Sequence, residues 1–188
     1  MAESIWIVIV NYRTADLVVD CLRSVVKQID GLPSLHTVVV DNASGDGSVE
    51  KLMGAIDREG WQDWASVHPS DRNGGFAFGN NAGIREALRS AGGADYVMLL
   101  NPDTIAHAGA IRALVDFLDS HQRVGIAGSL LENAAGSASV RHTMHRPHWG
   151  NWSPAPVWAY SAARCIVIQC RHHCGRRLTN ATGFRVQA

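Results

Sequence analysis

Three polar positions each follow an apolar run: Asn11 after "IWIVIV", Asp41 after "TVVV", and Asn101-Pro102-Asp103 after "YVMLL". A hard cation such as Mg²⁺ or Mn²⁺ takes oxygen ligands and is often shared between protein carboxylates and substrate phosphates. Asp103, stiffened by Pro102, suits that work. It would equally suit capping of the next helix, whose pattern begins near Ala108. Asp41, in "VVVDNASGDGS", has a carboxylate that can accept from a base N–H or a ribose hydroxyl. Its plainer role is an Asx turn into the glycine-rich loop. "NGGFAFGNNAGI" (Asn73–Ile84) offers backbone N–H groups and amides to a phosphorylated ligand at a helix N-terminus, and Asn81 could instead be the N-cap. Neither standard phosphate loop is present: no glycine lies between the first apolar run and Gly31, and there is no Gly-Lys-Ser/Thr.

Alternating strands and helices must position these residues. Ile5–Val10 reads as a strand, and Leu17, Val18, Cys21, Leu22, Val25 and Val26 recur on one helical face. Thr14 and Asp16 mark that helix's start and "DGLP" its end. Thr37–Val40 is a second strand, and Ser48 is placed to cap a helix running through Ile56. Trp64–Val67 is a short third strand, and a helix runs through Ile84, Ala87, Leu88 and Ala91. Tyr96–Leu100 has the continuous apolar character of a strand buried on both faces. A helix with Ile111, Leu114, Val115 and Leu118 on one face and a strand at Val124–Ala127 follow. This order predicts a mostly parallel sheet with helices on both faces. Ligands bind such sheets beyond the carboxyl ends of the strands, where Asn11, Asp41 and Asp103 all fall.

Four stretches, "WIVIVNYRTADLVVDCLRSV", "VVVDNASGDGS", "NGGFAFGNNAGIREA" and "YVMLLNPDT", resemble in order and spacing the donor half of family 2 glycosyltransferases. The nearest subgroup is the rhamnosyltransferase-like enzymes of cell-wall and O-antigen synthesis. The resemblance covers about residues 4–132. It implies a GT-A fold, a nucleotide-diphosphate sugar linked to UDP or dTDP, a divalent cation (Mg or Mn), and a glycan or lipid-linked acceptor. By position, Val10, Asn11 and Tyr12 would line the base pocket, Asp41 would contact the nucleoside, and Asn42, Asn73, Gly74 and Asn81 would belong to the donor site. Asn101-Pro102-Asp103 stands where the family has Asp-x-Asp, so the metal would rest on Asp103, with Asn101 beside the donor.

Charge divides the chain. Residues 1–132 hold all 17 acids and 10 of the 17 Lys+Arg, a formal charge of −7, whereas residues 133–188 hold seven Arg and no Asp, Glu or Lys. An inverting transferase needs a general base near its acceptor hydroxyl, and in this family that acid lies well downstream of the metal motif. Here none follows Glu132, so the catalytic base is unassigned. The expected organisation is a donor-binding domain over 1–132 and an irregular basic tail over 133–188, with the acceptor half missing. A frameshift or truncation, a divergent ending, or a metal module using Cys165, Cys170, His172, His173 and Cys174 would each account for that tail. Within it only Cys165–Cys170 resembles a strand, and His142, His145 and His148 sit on no recognisable framework. Seven dispersed arginines make too weak a patch for nucleic acid. No run reaches the ~18 apolar residues of a membrane span, and "MAES" is too acidic to open a signal peptide. The expected location is cytoplasmic, with peripheral contact at the inner face of the membrane.

Overall fold

A computed structural model of the chain describes residues 4–32, 34–129 and 165–169. In chain order the elements are β1 (Ile5–Asn11), α1 (Ala15–Val26), a 3₁₀ turn (Ile29–Gly31), β2 (Leu35–Asp41), α2 (Ser48–Glu59), β3 (Ala65–Pro69), α3 (Phe76–Arg89), β4 (Tyr96–Leu100), α4 (Ala110–Ser120), β5 (Ile126–Gly128) and β6 (Cys165–Gln169).

The strands form one sheet in the order β3-β2-β1-β4-β6-β5. β3, β2, β1 and β4 are parallel, while β6 runs antiparallel to both β4 and β5. Because successive strand side chains point to opposite faces, β1 feeds two cores. Ile5, Ile7 and Ile9 join Val18, Leu22 and Val25 of α1, Leu52 of α2, and Ile111, Val115 and Leu118 of α4. Trp6 and Val8 join Val38, Val40, Val97 and Leu99 beneath Ile84 and Ala87 of α3. A run of uniformly apolar strand residues is what burial on both faces requires.

The chain steps outward from β1 through β2 to β3, then returns to place β4 on the other side of β1. Strand order therefore reverses between β1 and β4, where open α/β sheets bind their ligands. Asn11 is paired in register with Asp41, and Leu100 is paired with Ile9. The predicted polar positions thus leave the sheet side by side along one edge.

Several boundaries differ from the sequence reading. α3 begins at Phe76, so Asn81 lies within it and is not its N-cap; that position is Gly75. Gly47, not Ser48, precedes α2, and Ser48 instead donates through both its backbone N–H and its hydroxyl to Asp46. Gly109 precedes α4, so Asp103 does not cap it. α1 stops at Val26, ahead of "DGLP". β6 falls on the one strand-like run of the tail. Cys170, His172, His173 and Cys174, together with His142, His145 and His148, lie outside the described residues.

Candidate donor site

At the end of β1 and β2, Asn11 and Asp41 are locked together. The Asn11 side-chain amide donates to Asp41 Oδ1 at 2.7 Å, and the same oxygen accepts from the Ser44 hydroxyl at 2.6 Å. The Ser44 backbone N–H donates to Asp41 Oδ2 at 3.0 Å. Asp41 is only 2% exposed, and a carboxylate has about four lone-pair sites. Three are engaged by Asn11 and Ser44. The Asx turn into the loop is therefore present. Burial of this charge is offset by charge-assisted hydrogen bonds, as a buried carboxylate requires.

The same network holds a strained backbone. Arg13 and Ala43 have positive φ, 58° and 54°, a region in which residues other than glycine are uncommon. Ser44 Oγ accepts from the Arg13 N–H at 3.0 Å, and the Ser44 carbonyl accepts from Arg13 Nε at 3.2 Å. Asn11 Oδ1 accepts from the Thr14 N–H at 3.1 Å, meeting an unsatisfied donor at the start of α1. Tyr12, 43% exposed, carries the Arg13 guanidinium 5.1 Å from its ring centroid, within cation–π range. Asp46, further along the loop, is held below its ordinary carboxylate pKa, chiefly by the Ser48 hydroxyl.

A second cluster joins the loop after β2 to the start of α3. The Asn42 amide donates to Asn73 Oδ1 at 2.9 Å and to the Gly75 carbonyl at 3.2 Å. Its own Oδ1 accepts the Gly74 N–H at 3.3 Å. Gly74 is required because a Cβ there would stand 2.3 Å from the Phe78 ring. Asn80 is buried and donates to the Phe76 carbonyl at 3.0 Å, while Asn81 Oδ1 is buried with no partner among the described residues. Val10 is a core residue whose methyls lie where a Cβ on Gly79 would fall.

The third element is the loop after β4. Thr104 N–H donates to the Asn101 carbonyl at 3.1 Å, closing a turn over Pro102 and Asp103. Asp103 is exposed. Among the described residues no group of three or more His, Cys, Asp or Glu could hold a metal ion by itself. A single exposed carboxylate on a tight turn does not suit a resident structural metal. It does suit a hard cation that shares its coordination with phosphate oxygens.

The structure thus unites Asn11 with Asp41, and Asn42 with Asn73 and Gly74. Asn101 and Asp103 stand on the loop that follows β4. Sequence reasoning missed Ser44, the hub of the first cluster, and Asn80. Ser44 stood in plain view as a hydroxyl three residues after an Asp, a spacing that makes local side-chain hydrogen bonds.

The sequence profile of the family described as Glycosyl transferase family 2 matches residues 6–176. No curated protein matches the chain. Among solved structures, the mannosyltransferase PcManGT from Pyrobaculum calidifontis, in complex with GDP-Man and Mn²⁺, is similar with 22% identity and a TM-score of 0.56, over 70% of this chain and 36% of that one. S. aureus TarS 1-349 is similar with 15% identity and a TM-score of 0.64, over 89% of this chain and 47% of that one. Its complex with UDP-GlcNAc gives 18% identity and a TM-score of 0.57, over 72% and 36%. At these identities the likeness bears on the fold, which is the GT-A arrangement the sequence implies. The chain spans 36% to 47% of the length of these relatives.

Proposed function

Because the chain belongs to glycosyltransferase family 2, we propose that it binds a nucleotide-diphosphate sugar beyond the carboxyl ends of β1, β2 and β4. The observation that carries this is that Asn11, Asp41 and the Asn101–Asp103 turn stand at the carboxyl ends of the adjacent parallel strands β1, β2 and β4, with strand order reversing between β1 and β4. The base lies against Tyr12 and donates to the Asp41 carboxylate. Asn42 orders the Asn73–Gly75 turn, which faces the donor with Asn81 behind it. Asp103, with Asn101 beside it, meets a divalent cation, Mg²⁺ or Mn²⁺, that arrives with the diphosphate. Such a cation neutralises a departing diphosphate as a Lewis acid. PcManGT and TarS were solved with GDP-Man and UDP-GlcNAc, which supports a nucleotide-sugar donor; UDP or dTDP remains our proposal for the base.

The transferred sugar in this reading is a hexose or a deoxyhexose such as rhamnose. The acceptor is a glycan or lipid-linked glycan of the cell surface, met at the cytoplasmic face of the membrane. Among the described residues no helix is long and apolar enough to cross a bilayer, and we propose peripheral contact. Residues 1–132 are proposed as the donor-binding part, with β6 added to its sheet from residues 165–169. A second reading, a donor-binding module without turnover, is favoured by one specific feature: no Asp or Glu follows Glu132.

Titration calorimetry of the full chain with UDP, dTDP and GDP, in Mn²⁺ and in chelator, tests this. Tight binding in Mn²⁺ should fall roughly ten- to hundredfold in chelator, as expected for loss of ~1.5–3 kcal/mol of charge-assisted contact. Asp103→Asn should abolish that difference. Equal affinity with and without chelator would overturn the metal assignment, and no affinity for any of the three would overturn the donor site.

A further inference from the structure

The inner face of α1 is not wholly apolar. Cys21, Ser24 and Gln28 follow one another at helical spacing of three and four residues, continuing just past the end of the helix. Ser24 and Gln28 are 5% and 8% exposed. Burying polar side chains on a core face is unfavourable unless they meet partners, and here the partners are backbone groups of the segment that carries Asp103. Ser24 Oγ accepts the Ala106 N–H at 2.9 Å while donating to the Cys21 carbonyl at 2.6 Å. Gln28 Oε1 accepts the Ile111 N–H at 3.3 Å. Cys21 Sγ lies 3.8 Å from the Asn101 carbonyl, within the range of a weak thiol donor. The stripe therefore touches the segment at its first residue, in its middle, and at the second residue of α4.

Between Leu100 and Ala110 there is no regular helix or strand. Its amides lack a ladder, and buried backbone N–H groups must find acceptors elsewhere. The turn over Pro102 and Asp103 fixes only its own four residues. Ala106 N–H, two residues beyond that turn, is anchored on the Ser24 hydroxyl of α1. Gln28 Nε2, in the same seam, and Thr104 Oγ1, on the segment itself, are buried without partners among the described residues. This seam tolerates polar cost that an apolar contact would avoid, which is how side-chain anchoring of a loop differs from ordinary packing.

We propose that Ser24 and Gln28 are positioning residues for the cation: they fix the 101–111 segment on α1 so that Asp103 is held where a metal–diphosphate can use it. This rests on the reading of Asp103 as the metal-facing carboxylate. Neither residue touches the donor. Preorganising a ligand-bearing loop lowers the ordering cost of binding, so the effect of losing the anchor should fall on the metal-dependent part of affinity alone.

The test uses the full chain and whichever of UDP, dTDP and GDP binds most tightly. Its affinity is measured in Mn²⁺ and in chelator, and the ratio is the metal-dependent gain. Ser24→Ala should lower that gain about tenfold, equivalent to about 1.4 kcal/mol, and leave the affinity in chelator unchanged. Ser24→Thr, which keeps the hydroxyl, should restore the gain. Gln28→Met removes the second acceptor at similar volume and should act in the same direction, and it serves as the cut if Ser24→Ala melts too low to titrate. An unchanged gain in these variants would overturn the proposal. So would an equal loss of affinity with and without Mn²⁺, which marks a merely structural role. A wild-type chain with no metal-dependent gain would overturn instead the assignment of Asp103 on which it rests.

Discussion

Ser44 shows how much of the site depends on a residue that would never touch the donor. Its hydroxyl donates to Asp41 and accepts from Arg13 N–H and the Asn11 amide, while its own N–H serves the other Asp41 oxygen. Ser44→Ala leaves Asp41 Oδ1 with only Asn11 and leaves the Arg13 N–H, held at positive φ, without its acceptor. A buried group stripped of its partner costs ~1–3 kcal/mol. We expect that loss in chemical denaturation, as a shifted midpoint with an unchanged slope. A midpoint within ~0.5 kcal/mol of wild type would show that the network does not hold the loop. The three acids and amides at strand ends were legible as chemistry because each follows an apolar run. Their mutual geometry was not: Asn11 and Asp41 are 30 residues apart, and only strand register brings them to 2.7 Å. The Asx turn that Asp41 makes with Ser44 was one of two readings its sequence position allowed, because one carboxylate can accept from the loop and from a ligand at once.

Among the elements, α3 most clearly separates what sequence can tell from what packing decides. Its first turns, "FAFGNNAG", read as loop, since glycine and asparagine are poor helix formers. They are helical because the sheet lies too close for anything larger. A Cβ on Gly83 would meet Val8 Cγ1 at 2.4 Å and Val38 Cγ1 at 3.3 Å, and one on Gly79 would meet Val10 Cγ1 at 2.7 Å. Tertiary contact overrides propensity here, and no single-sequence period records it. The remaining helices were legible because each has a continuous apolar stripe; Ile111, Val115 and Leu118 of α4 are buried as the spacing implied. Of the apolar positions the α3 pattern runs through, Ile84 and Ala87 are buried and Leu88 is exposed. The helix starts were misplaced for a related reason: Gly47, Gly75 and Gly109 precede α2, α3 and α4 at positive φ, a conformation glycine adopts without steric cost, where side-chain caps were expected. Gly83→Ala should therefore push α3 off β1 and cost ~1–3 kcal/mol as overpacking. Leu88→Ala, at an exposed position of the same helix, should stay within ~0.5 kcal/mol. Denaturation midpoints of the two variants decide it, and a neutral Gly83→Ala would show that the seam yields.

At the scale of the whole molecule the question is whether a donor site of this kind can turn over. Transfer to a sugar hydroxyl needs a base within about 3 Å of the proton it takes. Every Asp and Glu of the given sequence lies at or before Glu132, and the two we propose for the donor, Asp41 and Asp103, are already taken by that proposal. Asp41 is buried with three lone pairs engaged, and Asp103 stands on the turn assigned to the cation. The segment after Glu132 is legible as a change of composition, and β6 (Cys165–Gln169) shows that part of it enters the sheet, between β4 and β5. A strand adds to the sheet; it does not supply a carboxylate, since Cys165–Gln169 contains none. General-base catalysis is worth ~10²–10⁴-fold, and orientation of an acceptor contributes several kcal/mol more. Water, which needs no acceptor pocket, remains able to attack a bound donor slowly. We therefore expect the 188-residue chain to bind donor without measurable transfer, with donor hydrolysis at most a trace. Radiolabelled UDP-, dTDP- and GDP-sugars offered with membrane extract provide the measurement. Acceptor labelling at ordinary enzyme rates of ~1 s⁻¹ or more would mean that a histidine or another group of this chain acts as the base. Labelling that survives His142→Ala, His145→Ala and His148→Ala together would exclude those three histidines as the base.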